Sequence, residues 1–301
     1  MGLALDFGLG ESGLAEAGVG LGGAGLQVPA VAVAVGGFPD ITGWIFDAAY
    51  QYSAQDVHQC RYNNDGSRLY ARTNRNQSTD FIRTNTPDYS VPFVPVNDAS
   101  PTNAQAFPND GTEGFCFGSD GTTVYISRSG GNRMREYLNG GTPYKFNNGD
   151  LSLNFDMGGV NRAFDVAGRS NGLQLFYIDS SLQLVRSITM STLNDLSTGV
   201  VDAATFDPSN EGTFGYMDVS LDAVSMYLHD GAANTIYEYE FGTPGDVSTL
   251  TYTGRSLNVT GDLPATTTAT GISVSSDQLH MAVMARHATT PASNYVMHYT
   301  R

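Results

Sequence analysis

Positive charge is scarce in this 301-residue chain. Fifteen Lys+Arg face 30 Asp+Glu, a net charge of −15, and Lys145 is the one lysine. A surface of that sign repels phosphate backbones, so nucleic acid is not an expected partner. Cysteine is scarcer still, with two residues. Cys60 and Cys116 fall nearly in phase on neighbouring predicted strands and read as two small buried hydrophobes, not a disulfide. The longest apolar run, Val28 to Val35, is too short to cross a bilayer. No Lys or Arg precedes Arg61, so the basic start of a secretory signal is missing and synthesis in a cytoplasm without membrane insertion is expected. The five histidines (His58, His229, His280, His287, His298) lack metal-ligand spacing, although His280 and His298 are expected to approach on adjacent strands. The Asn/Asp-Gly turns, Asn63-Asn64-Asp65-Gly66 included, lack the alternating acidic ligands of a calcium loop. No metal and no cofactor are expected.

What the chain has is repetition. From Glu211 to Val259, four short runs rich in β-branched and aromatic residues are separated by turn residues, the size and pattern of one β-propeller blade. The second-run pairs Leu69-Tyr70, Val124-Tyr125, Leu175-Phe176, Met226-Tyr227 and Met281-Ala282 recur at spacings of 55, 51, 51 and 55 residues. A turn precedes each: Asp65-Gly66, Asp120-Gly121, Asn171-Gly172, Leu221-Asp222 and Ser276-Asp277. Asp-Gly and Asn-Gly supply the positive φ of a tight hairpin. A second marker (Thr86-Pro87, Thr142-Pro143, Thr192-Leu193, Thr243-Pro244) follows the pairs by 17, 18, 17 and 17 residues. Two markers in phase give five repeats, hence an all-β, five-bladed propeller of four-stranded antiparallel blades over 41–301.

The fifth repeat ends without an outer strand, and an unassigned strand-like run, Trp44 to Tyr52, precedes the first. An open ring would leave strand edges unpaired. Pairing Trp44–Tyr52 with Asn294–Thr300 builds the last blade from both ends of the chain.

Residues 1–40 differ in kind. Met1 to Gly37 holds 11 glycines with much Ala, Leu and Val, no helical periodicity and little polarity, unlike a solvated linker. Ordering such a segment costs about 1–2 kcal/mol per residue and needs compensating contacts. It is expected to be an attachment arm that grips neighbouring subunits through Leu3, Leu5, Phe7, Leu9, Leu14, Leu21, Leu26, Val28, Val31, Val33 and Val35. Val28 to Val35 is suited to adding a strand to a partner's sheet. An intramolecular strap across the propeller is the plainer alternative.

The core Gly118-Ser119-Asp120-Gly121-Thr122-Thr123-Val124-Tyr125-Ile126-Ser127 and the run Ile236-Tyr237-Glu238-Tyr239-Glu240-Phe241 with Gly242-Thr243-Pro244-Gly245-Asp246-Val247-Ser248-Thr249 resemble propeller repeats of tailed-bacteriophage structural proteins. The resemblance spans about 240 residues, close in the fourth copy and weak in the first and fifth, and rests on turn and core positions. It implies a non-enzymatic virion protein of the tail-fibre or adsorption type, with an arm docked on other virion proteins and a head displayed for a host-surface receptor or glycan. It also implies an oligomer in the particle. A capsid decoration or head-fibre protein is the alternative.

Two apparent motifs dissolve in context. Gly8-Leu9-Gly10-Glu11-Ser12-Gly13 spells a dinucleotide fingerprint but has neither the strand before nor the helix after it. Gly168-Arg169-Ser170-Asn171-Gly172 spells a nucleophile elbow but sits at the hairpin turn. The competing reading from another class is a glycan-processing propeller enzyme. Asp165 and Asp218 lie on neighbouring first strands at similar phase, with Glu113 as an extra candidate, and could supply the paired carboxylates of glycoside hydrolysis. The plainer reading has such groups satisfying one another around the axis. For glycan binding by stacking, the candidates are Tyr89, Tyr144 and Tyr252, near the Thr-Pro turns or in outer strands.

Overall fold

The computed structural model describes residues 40–301 apart from 53–56, 76–78, 85–88, 90, 96–101, 109–111, 129–131, 139–142, 145–149, 159–162, 169–170 and 289–293. The predicted arm residues from Leu3 to Val35 lie outside the described residues. So does Thr86-Pro87.

The chain is an all-β propeller of four-stranded antiparallel sheets. Four sheets run in chain order. The first holds β2 (Val57–Tyr62), β3 (Leu69–Arg75), β4 (Thr79–Thr84) and β5 (Thr102–Pro108). The second holds β6 (Thr112–Phe117), β7 (Thr123–Arg128), β8 (Arg133–Leu138) and β9 (Asp150–Asp156). The third has β10 (Ala163–Gly168), β11 (Gln174–Asp179), β12 (Leu184–Met190) and β13 (Gly199–Phe206). The fourth has β14 (Tyr216–Val219), β15 (Ser225–Asp230), β16 (Thr235–Phe241) and β17 (Leu250–Asn258). A further sheet is ordered β18 (Thr267–Val274), β19 (His280–His287), β20 (Tyr295–Thr300) and β1 (Ile45–Gln51). Its β1 pairs antiparallel with β20 from Ile45↔Thr300 to Gln51↔Tyr295.

Burial explains the composition of each strand. The second strands are covered on both faces: all of β15 is buried, so its apolar residues Met226, Tyr227 and Leu228 stand in succession and not in alternation. The outer strands β1 and β17 alternate along their length, one face packed and one facing water. The apolar clusters sit between sheets. One joins Phe176 and Ile178 of β11 to Met217, Met226 and Tyr239 of the fourth sheet. Another joins Cys60 and Leu69 of the first sheet to Ala282, Met284 and Val296 of β19 and β20.

The two sequence markers keep phase because one is bonded to the other. Gly66, Gly121 and Gly172 turn at φ of 70°, 66° and 61°. Their carbonyls accept from Phe93 N (2.8 Å), Tyr144 N (2.8 Å) and Asn194 N (2.9 Å), while Ala223 O accepts from Gly245 N (2.9 Å). Those four donors are themselves left-handed. The rings of Phe93 and Tyr144 lie where a side chain on Gly66 or Gly121 would project. Glycine is therefore needed there twice, for φ and for space. In the first repeat this position belongs to Phe93 after Pro92, so the marker placed at Thr86-Pro87 is corrected by five residues. A longer loop carries the donor further along the chain.

Three 3₁₀ turns begin the outer strands: Leu196–Thr198, Val247–Thr249 and Ile41–Gly43. Asp195, Asp246 and Asp40 cap them by accepting from the backbone N–H two residues on. The turns rest on β9, β13 and β17, each the outer strand of the preceding sheet. Asp40-Ile41-Thr42 is thus a third copy, among the described residues, of the Asp246-Val247-Ser248 signature, a signal that the two repeat markers do not include.

Candidate functional site

Register fixes which residues meet at the axis. Arg61, Cys116, Asp218 and Ser273 stand opposite Tyr70, Tyr125, Tyr227 and Ala282 of the second strands, and Ala167 opposite Phe176. Two residues upstream on the same five strands are Gln59, Gly114, Asp165, Tyr216 and Gly271. Asp165 and Asp218 therefore occupy successive levels, not one level as the sequence spacing suggested. The alignment by composition was off by one pleat.

At the upper level, neighbouring inner strands nearly touch. A Cβ on Gly114 would lie 2.6 Å from Asp165 Cα, and one on Gly271, whose φ is +114°, would lie 2.7 Å from Gln59 Cα. Strands that approach so closely cannot each carry a side chain at this level, and glycine fills two of its places.

The remaining side chains tie neighbouring strands together. Gln59 Oε1 accepts from Phe115 N at 2.8 Å, and its Nε2 donates to Asp165 Oδ1. Asp165 Oδ2 accepts from Met217 N at 2.9 Å and its Oδ1 from Val166 N at 2.7 Å. Asp218 Oδ2 accepts from Val274 N at 2.7 Å and Oδ1 from Val219 N at 2.9 Å. Ser273 Oγ accepts from Tyr62 N at 3.0 Å. Arg61 is the hub. Its Nη1 donates to Ile272 O, and its Nη2 to Val166 O (3.0 Å) and Met217 O (2.7 Å). Nη2 also pairs with Asp165 Oδ2 at 3.2 Å. One buried guanidinium thus holds four sheets.

Burial dominates the electrostatics. It pushes Asp165 up to about 6, against the pull of Arg61 and two backbone amides. Asp218 is also raised by burial, opposed first by Arg61. Cys60 and Cys116 are free and buried. Desolvation raises both thiols, Cys60 to about 12, which leaves them protonated and unreactive.

Below Arg61 opens a cavity of about 60 Å³. Arg61, Cys116, Asp218 and Ser273 line it together with the hairpin residues Asn64, Ser119, Leu221 and Ser276. Asp165 and Glu113 do not line it. Asp165 has no exposed surface, and Glu113 pairs with Arg72 at 3.8 Å. Of the three candidate catalytic carboxylates, Asp218 alone reaches the cavity.

The candidate tyrosines have other occupations. Tyr89 is buried among Tyr62, Leu69 and Phe93, so its ring offers no face to a sugar. Tyr144 packs edge-on against Phe117 at 5.4 Å and over Gly121, and its carbonyl accepts from Tyr70 Oη at 2.6 Å. Tyr252 lies on β17 beside Tyr237 and Tyr239, at 5.9 and 5.5 Å, partly exposed. The expected approach of His280 and His298 is seen, Nδ1 to Nε2, at 3.1 Å. Among the described residues no group of three or more His, Cys, Asp and Glu is placed to hold a metal ion.

No family model matches the chain, and no curated protein matches it. Among solved structures it is similar to the β-propeller domain of Myceliophteria thermophila Cps50 (Swd1), at 10% identity and TM-score 0.46, over 86% of this chain and 99% of that one. A functionally unknown protein from Desulfotomaculum acetoxidans DSM 771 gives 14% and 0.44, over 79% and 68%. Kuenenia stuttgartiensis hydrazine synthase gives 12% and 0.40, over 63% and 50%. Likeness of that size carries no argument about activity.

Proposed function

We propose that the sheets close into a five-bladed ring, and that the ring is the head of a non-enzymatic structural protein of a tailed-bacteriophage virion. Five apolar clusters, each bridging two successive sheets, and the β1–β20 pairing support the ring. The observation that carries the non-enzymatic reading is the axial network. The polar side chains at its centre are hydrogen-bonded to neighbouring strands, and a glycosidase would need two carboxyl groups about 5–10 Å apart in one open cleft. The repeat resemblance supports the virion assignment, and the apolar, glycine-rich residues 1–37 support attachment of the head to other virion proteins. The displayed face then serves host-surface or glycan binding in the tail or adsorption apparatus.

The test uses phage carrying the full-length protein or a variant lacking residues 1–37. The shortened chain is expected to fold and to be absent from purified particles, and normal incorporation would refute the arm. Loss of host adsorption without the gene supports the adsorption role. Unchanged adsorption moves the protein to the decoration or head-fibre reading. Glycan hydrolysis abolished by Asp218→Asn would overturn the non-enzymatic assignment.

A further inference from the structure

The joint between the third and fourth sheets lacks what the next joint has. In the fourth sheet Glu238 stands opposite Tyr227, Glu240 lies two residues on, and Arg255 sits where the β16–β17 register slips. The Arg255 guanidinium lies 3.0 Å from Glu238 and 2.8 Å from Glu240. Its Nε also lies 3.5 Å from Asp40, the cap of the 3₁₀ turn that begins β1. One cation gathers three carboxylates where the fourth sheet meets the last.

The third sheet repeats that register, with the β12–β13 slip at the corresponding place, between Arg186 and Ile188. Matching the two sheets sets Ser187 in the place of Glu238, Thr189 in that of Glu240, Asp202 in that of Thr253 and Ala204 in that of Arg255. Asp246 caps the turn that rests on β13 as Asp40 caps the turn that rests on β17. Ser187, Thr189, Asp202, Ala204 and Asp246 line an open groove of about 430 Å³. Its room is what the shorter side chains leave. Asp202 Oδ2 accepts from Ser187 at 2.6 Å and Thr189 at 2.9 Å, and Asp246 Oδ1 from Ser248 N at 3.0 Å. Asp202 Oδ1 and Asp246 Oδ2 have no hydrogen-bond partner among the described residues. The groove holds two carboxylates and no cation.

We propose that this groove receives an arginine side chain of a partner protein, its guanidinium seated between Asp202 and Asp246 where Arg255 sits one repeat later. The filled joint shows that this backbone frame accepts a guanidinium at that position, and that the capping aspartate pairs with it. Two carboxylates flanking one seat suit the planar fork of arginine better than the point charge of lysine. Among the described residues no third His, Cys, Asp or Glu joins them to hold a metal ion. The arm of a second copy cannot supply the cation, because no Lys or Arg precedes Arg61. With 30 acidic residues against 15 basic ones, the field of the whole chain also draws a cationic partner. The inference goes beyond the virion reading and does not rest on it, since the groove belongs to the folded head.

Titrating the isotope-labelled full-length chain with Nα-acetyl-arginine amide, followed by amide chemical shifts, tests this. Saturable shifts are expected at Asp202, Ala203, Ala204 and Val247, and not at Thr253, Gly254 and Arg255 of the filled joint. Asp202→Asn and Asp246→Asn keep an oxygen for Ser187 and for the Ser248 amide. Each should weaken binding by up to about fivefold, the ceiling for an exposed ion pair. Nα-acetyl-citrulline amide, the neutral isostere, should not bind. Should the aspartate variants not fold, Ala204→Arg puts the cation into the chain itself. It should block the probe and raise the melting temperature by an amount that about 1 M NaCl removes. Equal binding of the citrulline probe, unchanged affinity in both aspartate variants, or shifts spread evenly over the acidic surface would overturn the seat. So would tighter binding of Nα-acetyl-lysine amide, or an Ala204→Arg chain that still takes up the arginine probe.

Discussion

Replacing Arg61 by Met keeps most of the side-chain length and removes the cation at the centre of the molecule. Two costs follow. The carbonyls of Ile272, Val166 and Met217 lose a donor, and Asp165 keeps its charge with no counter-ion, fully buried. Removing one partner of a buried ion pair costs about 3–5 kcal/mol, a large share of the roughly 5–15 kcal/mol that holds a domain together. The pH dependence separates this cause from lost packing. Asp165 is already raised to about 6, above its unfolded value near 3.9. A carboxyl raised on folding favours the fold below its unfolded value and loses that contribution as pH rises through the folded one. Without Arg61 the folded value moves higher still. Arg61→Met should therefore be most destabilising at pH 7.5 and recover in part at pH 5. Urea unfolding at both pH values, with stability from linear extrapolation, measures it. A loss below about 1 kcal/mol, or an equal loss at both pH values, would refute the claim that Asp165 stays charged because of Arg61.

Four further substitutions isolate single terms. Gly271→Ala should cost about 3 kcal/mol or more, because φ of +114° and a backbone atom 2.7 Å away act together. Gly254→Ala, at φ +79° with nothing within 4 Å, should cost only about 1–2 kcal/mol; similar melting shifts for the two would show that the axis is not tight. Gln278, at φ 58°, stands where the first three repeats have glycine and the fourth has Ala223, and Gln278→Gly should gain about 1 kcal/mol in thermal unfolding. His229 is buried, with neither ring nitrogen hydrogen-bonded among the described residues, and burial lowers it to about 4. It stays neutral in the fold while the unfolded chain takes up a proton near 6.5, so stability falls from about pH 6.5 down to about 4. His229→Leu should flatten that decline and leave pH 7.5 nearly unchanged.

The chain by itself determined where strands lie and how they hairpin. Those features depend on short-range causes: the positive φ of Gly66, Gly121 and Gly172, the Asp caps, and runs apolar enough to be covered on both faces. The last-sheet pairing partner of β1 was legible as well, because a strand without an edge partner and a sheet without an outer strand stood at opposite ends of one sequence. Even Asp40-Ile41-Thr42 was readable as a cap, had it been set beside Asp246-Val247-Ser248. The tertiary structure decided what those residues do once strands from distant repeats meet. A one-pleat offset put Asp165 one level above Arg61 and Asp218 beside the cavity. A longer loop gave Phe93 the place reserved for a Thr-Pro turn, and neighbours buried Tyr89. Register and approach between strands 50 or more residues apart are set by packing around the axis, and no local spacing encodes them.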